Sequence, residues 1–423
     1  MRRPIAISLS PNTESDDIRQ AHRVLWHPQT WKDTTIFAEV SSALSAWFGG
    51  VSVALTSSGR QALYDLLKAT GIGQGDEVII QAFTCIAVPE PILWAQATPV
   101  YADVIPYTYN LDPASVSERI TEKTKAIIVQ HTFGIPGPIQ ELQAIAREHN
   151  LLLIEDCAHA LGGTYNNQPL GTFGDAAILS FGRDKALSSV FGGAVISRNQ
   201  QLIHTIHKYA QDRRYPPSRW IIQQLLHPIL FHILVSLYFT GGMGKVGLVL
   251  AQRLGLLSKA VATEERSGRR PDHFSYRYSP ALAHLLHLQV HKLKRYTQRR
   301  RDIAQRYIDE LKETVTLPSV PEGGSPNWLR MPIGVKDTKK LRRLALQQEM
   351  MLGDWYDAPL VPSGSSLSTF KYMSGSCPNA EEAAKHVINL PTYPLLTDKQ
   401  VDHVIELVKN QEASSVKAWN FEN

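Results

Sequence analysis

From Val51 to Ser197 the chain alternates short apolar runs with stretches whose apolar positions recur at helical spacing. Val51–Leu55, Glu77–Gln81, Pro99–Asp103, Lys125–Gln130, Leu151–Ile154, Ala176–Ser180 and Ala194–Ser197 read as strands. Gln61–Thr70 reads as a helix, with Ala62, Leu63, Leu66 and Leu67 on one face; Ile86–Gln96 and Gln140–Glu148 also read as helical. Apolar strands separated by helices imply βαβ units and a mostly parallel sheet covered on both faces. Ligands of such sheets bind beyond the carboxyl ends of the strands.

Residues 208–262 break the alternation. Trp220–Gly244 contains no Lys, Arg, Asp or Glu, and is flanked by Arg213, Arg214 and Arg219 on one side and Lys245, Arg253 and Lys259 on the other. A single membrane span would put the chain after Gly244 on the opposite side from the sheet. Two readings remain: a helix pair buried within the protein or its dimer, or a helical hairpin lying on a membrane surface. Pro228 is expected to break or kink the first helix, and Gly241-Gly242 to supply the turn.

From Ala281 the pattern is helical again, with Leu282, Leu285, Leu286, Val290 and Leu293 in one stripe continued by Ile303 and Tyr307. The basic run Lys294–Arg301 reads as the solvated side of this helix rather than a nucleic-acid patch. Trp328–Val335 and helices near Lys339–Met350, Glu381–His386 and Asp398–Lys409 point to a smaller α+β domain. The expected division is a large domain over 1–270 and a C-terminal domain over 271–423. No internal repeat is visible, and the tail after Gln411 is expected to fray.

The 423 residues are 43% apolar and 20% charged, which excludes disorder over most of the length. The net charge of +5 is too small to argue for nucleic acid. Three cysteines, Cys85, Cys157 and Cys377, exclude a disulfide framework and fit a reducing, cytoplasmic setting. The N-terminal segment has two arginines but no apolar run long enough for a signal peptide.

Four clusters accompany the strand ends. Ser57–Gln61 offers small residues before a helix start, where backbone N–H groups can approach an anion. Glu155–His159 closes a buried strand with Asp156, either a helix cap or the partner of a cationic ring nitrogen. Ser180–Lys185 places Lys185 beside a sheet end, either in a surface ion pair with Asp184 or Asp175 or as a desolvated amine nucleophilic toward carbonyls. Phe191–Ala194 turns the chain tightly back to the sheet. An anion cradle, a carboxylate, a hydroxyl and an amine together suit pyridoxal phosphate.

Several ordered segments carry a resemblance: SSGRQAL beginning at Ser57, GIGQGDEVI at Gly71, TKAIIVQHTFG at Thr124, IEDCAHALGGTY at Ile154, GTFGDAAILSFGRDK at Gly171, FGGAVIS at Phe191, FSYRYSPALAHLLHLQ at Phe274 and INLPTYPLLTDKQVDHVI at Ile388. In these the chain resembles the DegT/DnrJ/EryC1/StrS-type, fold-type-I sugar-nucleotide aminotransferases, over most of its length apart from about 208–270. The resemblance implies an α/β large domain with a mostly parallel, seven-stranded type of sheet and a smaller C-terminal α+β domain. It also implies a homodimer that uses pyridoxal phosphate to move an amino group from an amino acid, expected to be glutamate, to a nucleotide-linked ketosugar.

By the same resemblance, Lys185 would carry the cofactor and shuttle a proton, and Asp156 would face the pyridine nitrogen. His159 would lie near the ring oxygen. Ser180 and the backbone of Gly59, Arg60 and Gln61 would hold the phosphate, and His131 would stand near the site mouth. Three positions depart from the family: Arg60 stands where Thr is common, Cys85 where an aromatic ring stacks on the cofactor, and Ser275 where an Asn reaches the partner subunit. Arg60 is expected to pair with phosphate, and Phe83 or His131 to compensate for Cys85. The loops 353–357 and 359–362 are expected to set specificity. These departures keep open a pyridoxal-phosphate lyase or dehydratase, and a non-catalytic, membrane-docked sensor.

Overall fold

The structure is a computed structural model that describes residues 4–8, 10, 12–258, 262, 264–412 and 421. The expected fraying after Gln411 falls almost wholly outside the described residues. Seven strands form the central sheet: β1 (Ser52–Thr56), β2 (Glu77–Gln81), β3 (Thr98–Ala102), β4 (Thr124–Gln130), β5 (Leu152–Asp156), β6 (Ala176–Ser180) and β7 (Gly193–Ser197). Their order is β1-β7-β6-β5-β4-β2-β3, and only β7 runs antiparallel to its neighbours. The strands are almost wholly buried, as their continuous Val, Ile, Leu and Ala runs require of a sheet covered on both faces. Gly193 lies opposite both Thr56 and Ser180. That register sets the carboxyl ends of β1 and β6 one strand apart, with Asp156 at the end of the next strand.

The helix after β1 runs Gly59–Ala69, started by the Ser58 side chain, which accepts from the Gln61 amide at 3.0 Å. The helix expected over Ile86–Gln96 contracts to Pro89–Trp94. Upstream of it, Thr84–Cys85 is taken by a parallel pairing with Leu360–Val361. A separate apolar cluster gathers Tyr307, Met331, Ile333, Leu341, Ile388, Val401 and Val404 from the C-terminal part. The N-terminus joins it, since Ile5–Ala6 pairs with Met350–Met351 and Ile5 is part of the cluster.

Residues 218–253 form a helical hairpin, Ser218–Ser236 and Met243–Arg253. Its turn is the expected Gly241-Gly242, both in the left-handed region with φ of 57° and 75°. Of the expected break or kink at Pro228, no break occurs: the first helix runs through it. Ile221, Leu225 and Ile229 are buried in an apolar cluster with Val53 and Leu55 of β1 and Ala194 and Ile196 of β7, and this packing holds the turn that loses a hydrogen bond. The second helix crosses closely at Gly244, where a Cβ would lie 2.1 Å from the Leu234 carbonyl oxygen. Among the described residues, no helix is long and apolar enough to cross a membrane.

The basic run also departs from its sequence reading. It lies in a helix, Leu293–Leu311, that is packed on several sides. Arg300 is wholly buried and donates to Asn12 Oδ1 and the Ala186 carbonyl. Arg295 pairs with Glu14, Arg299 with Asp398, and Arg301 donates to the Gly162, Ser325 and Pro326 carbonyls. Lys294 and Arg295 do face solvent as read, while Arg300 is buried and Arg299 and Arg301 tie chain segments together.

Candidate active site

At the carboxyl ends of β1, β5 and β6 lies a cavity of about 340 Å³. Its lining includes Ser58, Gly59, Arg60, Cys85, Asp156, His159, Ser180 and Lys185. Of the expected site residues, Gln61 and His131 are not in the lining; the Gln61 amide caps against Ser58 just behind the cradle.

Close backbone approach shapes the cradle. A Cβ on Gly59 would sit 2.9 Å from Ser180 Cβ, and one on Gly193 would sit 2.4 Å from the Ser58 carbonyl carbon. Only glycine lets the start of the Gly59–Ala69 helix meet the Ser180 hydroxyl, so the helix's positive end and a hydroxyl border the same space.

Asp156 is buried and accepts from the Ala158 amide at 2.9 Å. Burial pushes its carboxyl above the usual range, opposed by that hydrogen bond and by Lys185. Burial also brings the Lys185 ammonium down to about 8. Asp156 and Cys85 oppose that fall, while Arg330 and Arg60 add to it. No surface ion pair with Asp184 or Asp175 forms; the Lys185 Nζ lies 5.2 Å from the centroid of the Trp355 ring. His159 is buried and held well below its usual range, chiefly by desolvation, so it is a neutral imidazole. Its Nδ1 accepts from the Phe133 amide at 3.4 Å.

Cys85 lines the cavity, half-buried, with its thiol pushed up by burial. Neither residue expected to replace an aromatic there does so. Phe83 is buried in a ring cluster with Tyr109, Phe133 and Tyr356. His131 is not at a site mouth: it is fully buried, bonded to Glu155 at 3.0 Å and accepting from the Gly137 amide. Glu155 in turn accepts from the Gly171, Phe173 and Gly174 amides, so this pair braces a turn behind the sheet. The Arg60 side chain is engaged by two carboxylates, Glu90 at 2.9 Å and Glu265 at 2.8 Å, and lies over the Phe274 ring. With two buried acids against one cation, burial holds Glu90 up to about 8.

The loop expected to set specificity does reach the cavity: Asp354, Trp355, Tyr356 and Asp357 line it, with Val361 and Pro362. The Trp355 indole lies parallel to His159, 4.8 Å between centroids and 5° between planes. On it rests the Arg330 guanidinium, 3.3 Å from the ring centroid. Sequence reasoning missed Arg330 and its stack with Trp355. One signal was Gly353, where a Cβ would press within 3.0 Å of Arg330 Nη1.

A profile of the DegT/DnrJ/EryC1/StrS aminotransferase family matches residues 12–214 and 254–409, omitting the hairpin. The chain belongs to this family. A "Pleiotropic regulatory protein" of Geobacillus stearothermophilus is 30% identical over 83% of the chain and 82% of that relative. The dTDP-3-amino-3,6-dideoxy-alpha-D-galactopyranose transaminase of Aneurinibacillus thermoaerophilus is 27% identical, over 83% of each. The structure of DesV from S. venezuelae, solved with a ketimine intermediate, superposes with a TM-score of 0.75 at 22% identity, covering 98% of this chain and 100% of that one. The aminotransferase fold is therefore shared. The residues present fit the family's cofactor, pyridoxal phosphate: a glycine cradle with a hydroxyl, a buried carboxyl without a cationic hydrogen-bond partner, and an amine near neutrality.

Proposed function

We propose that this aminotransferase moves an amino group from glutamate to the keto group of a nucleotide-linked sugar, in the making of a deoxyamino sugar for a surface polysaccharide. The observation that carries the reading is the Lys185 amine, poised at about 8 inside the cavity that Asp156 and the Gly59–Ser180 cradle share. The relatives' names support the substrate class. They include the dTDP-sugar transaminase above and a UDP-N-acetyl-3-dehydro-alpha-D-glucosamine 3-aminotransferase of Acidithiobacillus ferrooxidans, 28% identical over 88% of the chain.

Pyridoxal phosphate supplies an electron-withdrawing ring and an aldehyde to which an amine can condense. Ser180 and the backbone of Gly59, Arg60 and Gln61 would hold its phosphate. Asp156, kept from water, would keep a proton on the ring nitrogen. Neutral His159 would stand beside the ring without adding charge. Lys185 Nζ would be the amine that holds the cofactor's aldehyde carbon, and it would move a proton at the substrate carbon, a task its lowered pKa suits. Trp355 supplies the aromatic wall that Cys85 does not. The enzyme works as a cytoplasmic homodimer with a large domain of 1–270 and a smaller one of 271–423, stationed at a membrane's inner face through the 220–244 segment.

Incubation with glutamate and nucleotide ketosugars tests the reading. Release of 2-oxoglutarate in step with aminosugar supports transfer. Sugar conversion without keto acid would mean elimination, the lyase reading. A cofactor-loaded protein that turns over no sugar would favour the regulatory role named for the Geobacillus relative.

A further inference from the structure

The family profile passes over the hairpin, so 218–253 is an addition to the aminotransferase body. Its inner side is accounted for. Ile221, Leu225 and Ile229 enter the apolar cluster with β1 and β7, and Phe231, Val235, Leu248, Ala251 and Leu257 pack the two helices together. Its outer side is not. Among the described residues, nine of the twelve large apolar side chains that stand exposed fall between Tyr215 and Leu256. On the second helix Met243, Val246, Val249, Leu250 and Leu254 are 44–67% exposed. At 100° per residue these five fall within one arc of about 140°, opposite the buried Gly244, Leu248 and Ala251.

Charge says what covers this face. No Asp or Glu occurs from 213 to 263, while Arg213, Arg214, Arg219, Lys245, Arg253 and Lys259 do. Arg214, Arg219, Lys245 and Arg253 are exposed. A second copy would bring the same cations against themselves, which disfavours self-association. Neither helix can span a bilayer. An apolar arc flanked by Lys245, carrying Arg253 at the end of the helix and free of acids, suits a helix lying in the headgroup layer of an anionic bilayer.

The hairpin is also fastened to the catalytic loop. Arg183 donates to the Ser258 carbonyl at 2.7 Å and to its hydroxyl. His227 bonds the Ser10 hydroxyl at 2.8 Å, and the Ser10 amide donates to Asp184. Trp220 packs 5.3 Å from Phe191, which lines the cavity.

We infer that the outer face of the 218–253 hairpin is a docking surface for an anionic lipid bilayer, with Met243, Val246, Leu250 and Leu254 entering the acyl boundary and Lys245 and Arg253 meeting headgroup phosphates. This deepens the membrane station proposed above and is independent of the amino-transfer chemistry. The test is co-sedimentation of the full-length protein with phosphatidylglycerol/phosphatidylcholine vesicles and with pure phosphatidylcholine vesicles, with solution mass measured by light scattering.

Binding to the anionic vesicles is expected. Val246→Asp/Leu250→Asp should abolish it at unchanged solution mass, and Lys245→Glu/Arg253→Glu should weaken it by about 30-fold or more. All four side chains are exposed, so both variants should keep the wild-type melting temperature and the cofactor absorbance. No sedimentation of the wild type with anionic vesicles would overturn the inference. So would a fall in solution mass in the aspartate variant with vesicle binding intact, which would make the face an interface between copies. A loss of turnover with vesicle binding intact would count against the chemistry alone.

Discussion

Substituting Gly193 by alanine tests whether the cradle depends on close backbone contact. The new Cβ would lie 2.4 Å from both the carbonyl carbon and oxygen of Ser58 and 2.5 Å from the Gly59 nitrogen. Comfortable contact begins near about 3.5 Å, so the deficit is about 1 Å. Every atom it meets is backbone, and none can rotate away. β7 must therefore part from β1, carrying Ser58 and Gly59 away from Ser180, since Gly193 is opposite both Thr56 and Ser180. Overpacking of this kind costs about 1–3 kcal/mol. If that cost falls on the cofactor-bound geometry, affinity for pyridoxal phosphate drops about 5- to 150-fold. Absorbance titration of the apoprotein with pyridoxal phosphate measures it, alongside a thermal melt. Gly73→Ala is the control, because its Cβ would meet only the Ala95 carbonyl oxygen at 3.4 Å. Wild-type affinity in Gly193→Ala, or an equal loss in Gly73→Ala, would refute the cradle argument.

Three further outcomes follow from the same geometry. The Lys185 amine of the apoprotein should titrate near 8 rather than 10.5. Labelling by a small aldehyde at pH 7 should then run about 300-fold faster than at an ordinary lysine, rising with pH to a plateau above about 8, and a midpoint near 10.5 would contradict the burial argument. Asp156→Asn removes a charge that opposes the fall, so the Lys185 midpoint should move below the wild-type value while turnover drops by about a thousandfold; an upward shift would reverse the assigned electrostatics. Glu90 is held up to about 8 in the folded protein against 4.5 for a free side chain, so its proton stabilises the fold at low pH and that stability is lost as pH rises from about 4.5 through 8. Glu90→Gln should flatten the dependence of melting temperature on pH across that window, and an unchanged slope would show that the Arg60 cluster carries no such linkage.

Much of this was legible in the sequence for a local reason. Each strand of the sheet is built around a short apolar run, and a strand buried on both faces requires that pattern. The cradle, Asp156 and Lys185 each sit within a few residues of a strand end, so knowing the strand places the side chain. What stayed hidden depends on distant partners. Glu265, about two hundred residues from Arg60, is what engages the arginine that was expected to meet phosphate. Arg330 on the Trp355 ring is a tertiary contact without periodicity to betray it. His131 looks like a site residue because it follows a strand, but Glu155 on the neighbouring strand draws it inward. The Lys294–Arg301 run misleads similarly, since charge alone predicts solvent and only packing reveals Arg300 as buried. Pro228 shows propensity yielding to burial on the inner face of the hairpin.

The account turns on the Lys185 amine being the group that holds the cofactor. Borohydride reduction of the cofactor-loaded protein, followed by peptide mapping, addresses this directly. A pyridoxyl group on the peptide containing Lys185, with loss of the visible absorbance in Lys185→Ala, is the predicted result. A label on another lysine, or a Lys185→Ala protein that keeps both its chromophore and its turnover, would contradict it.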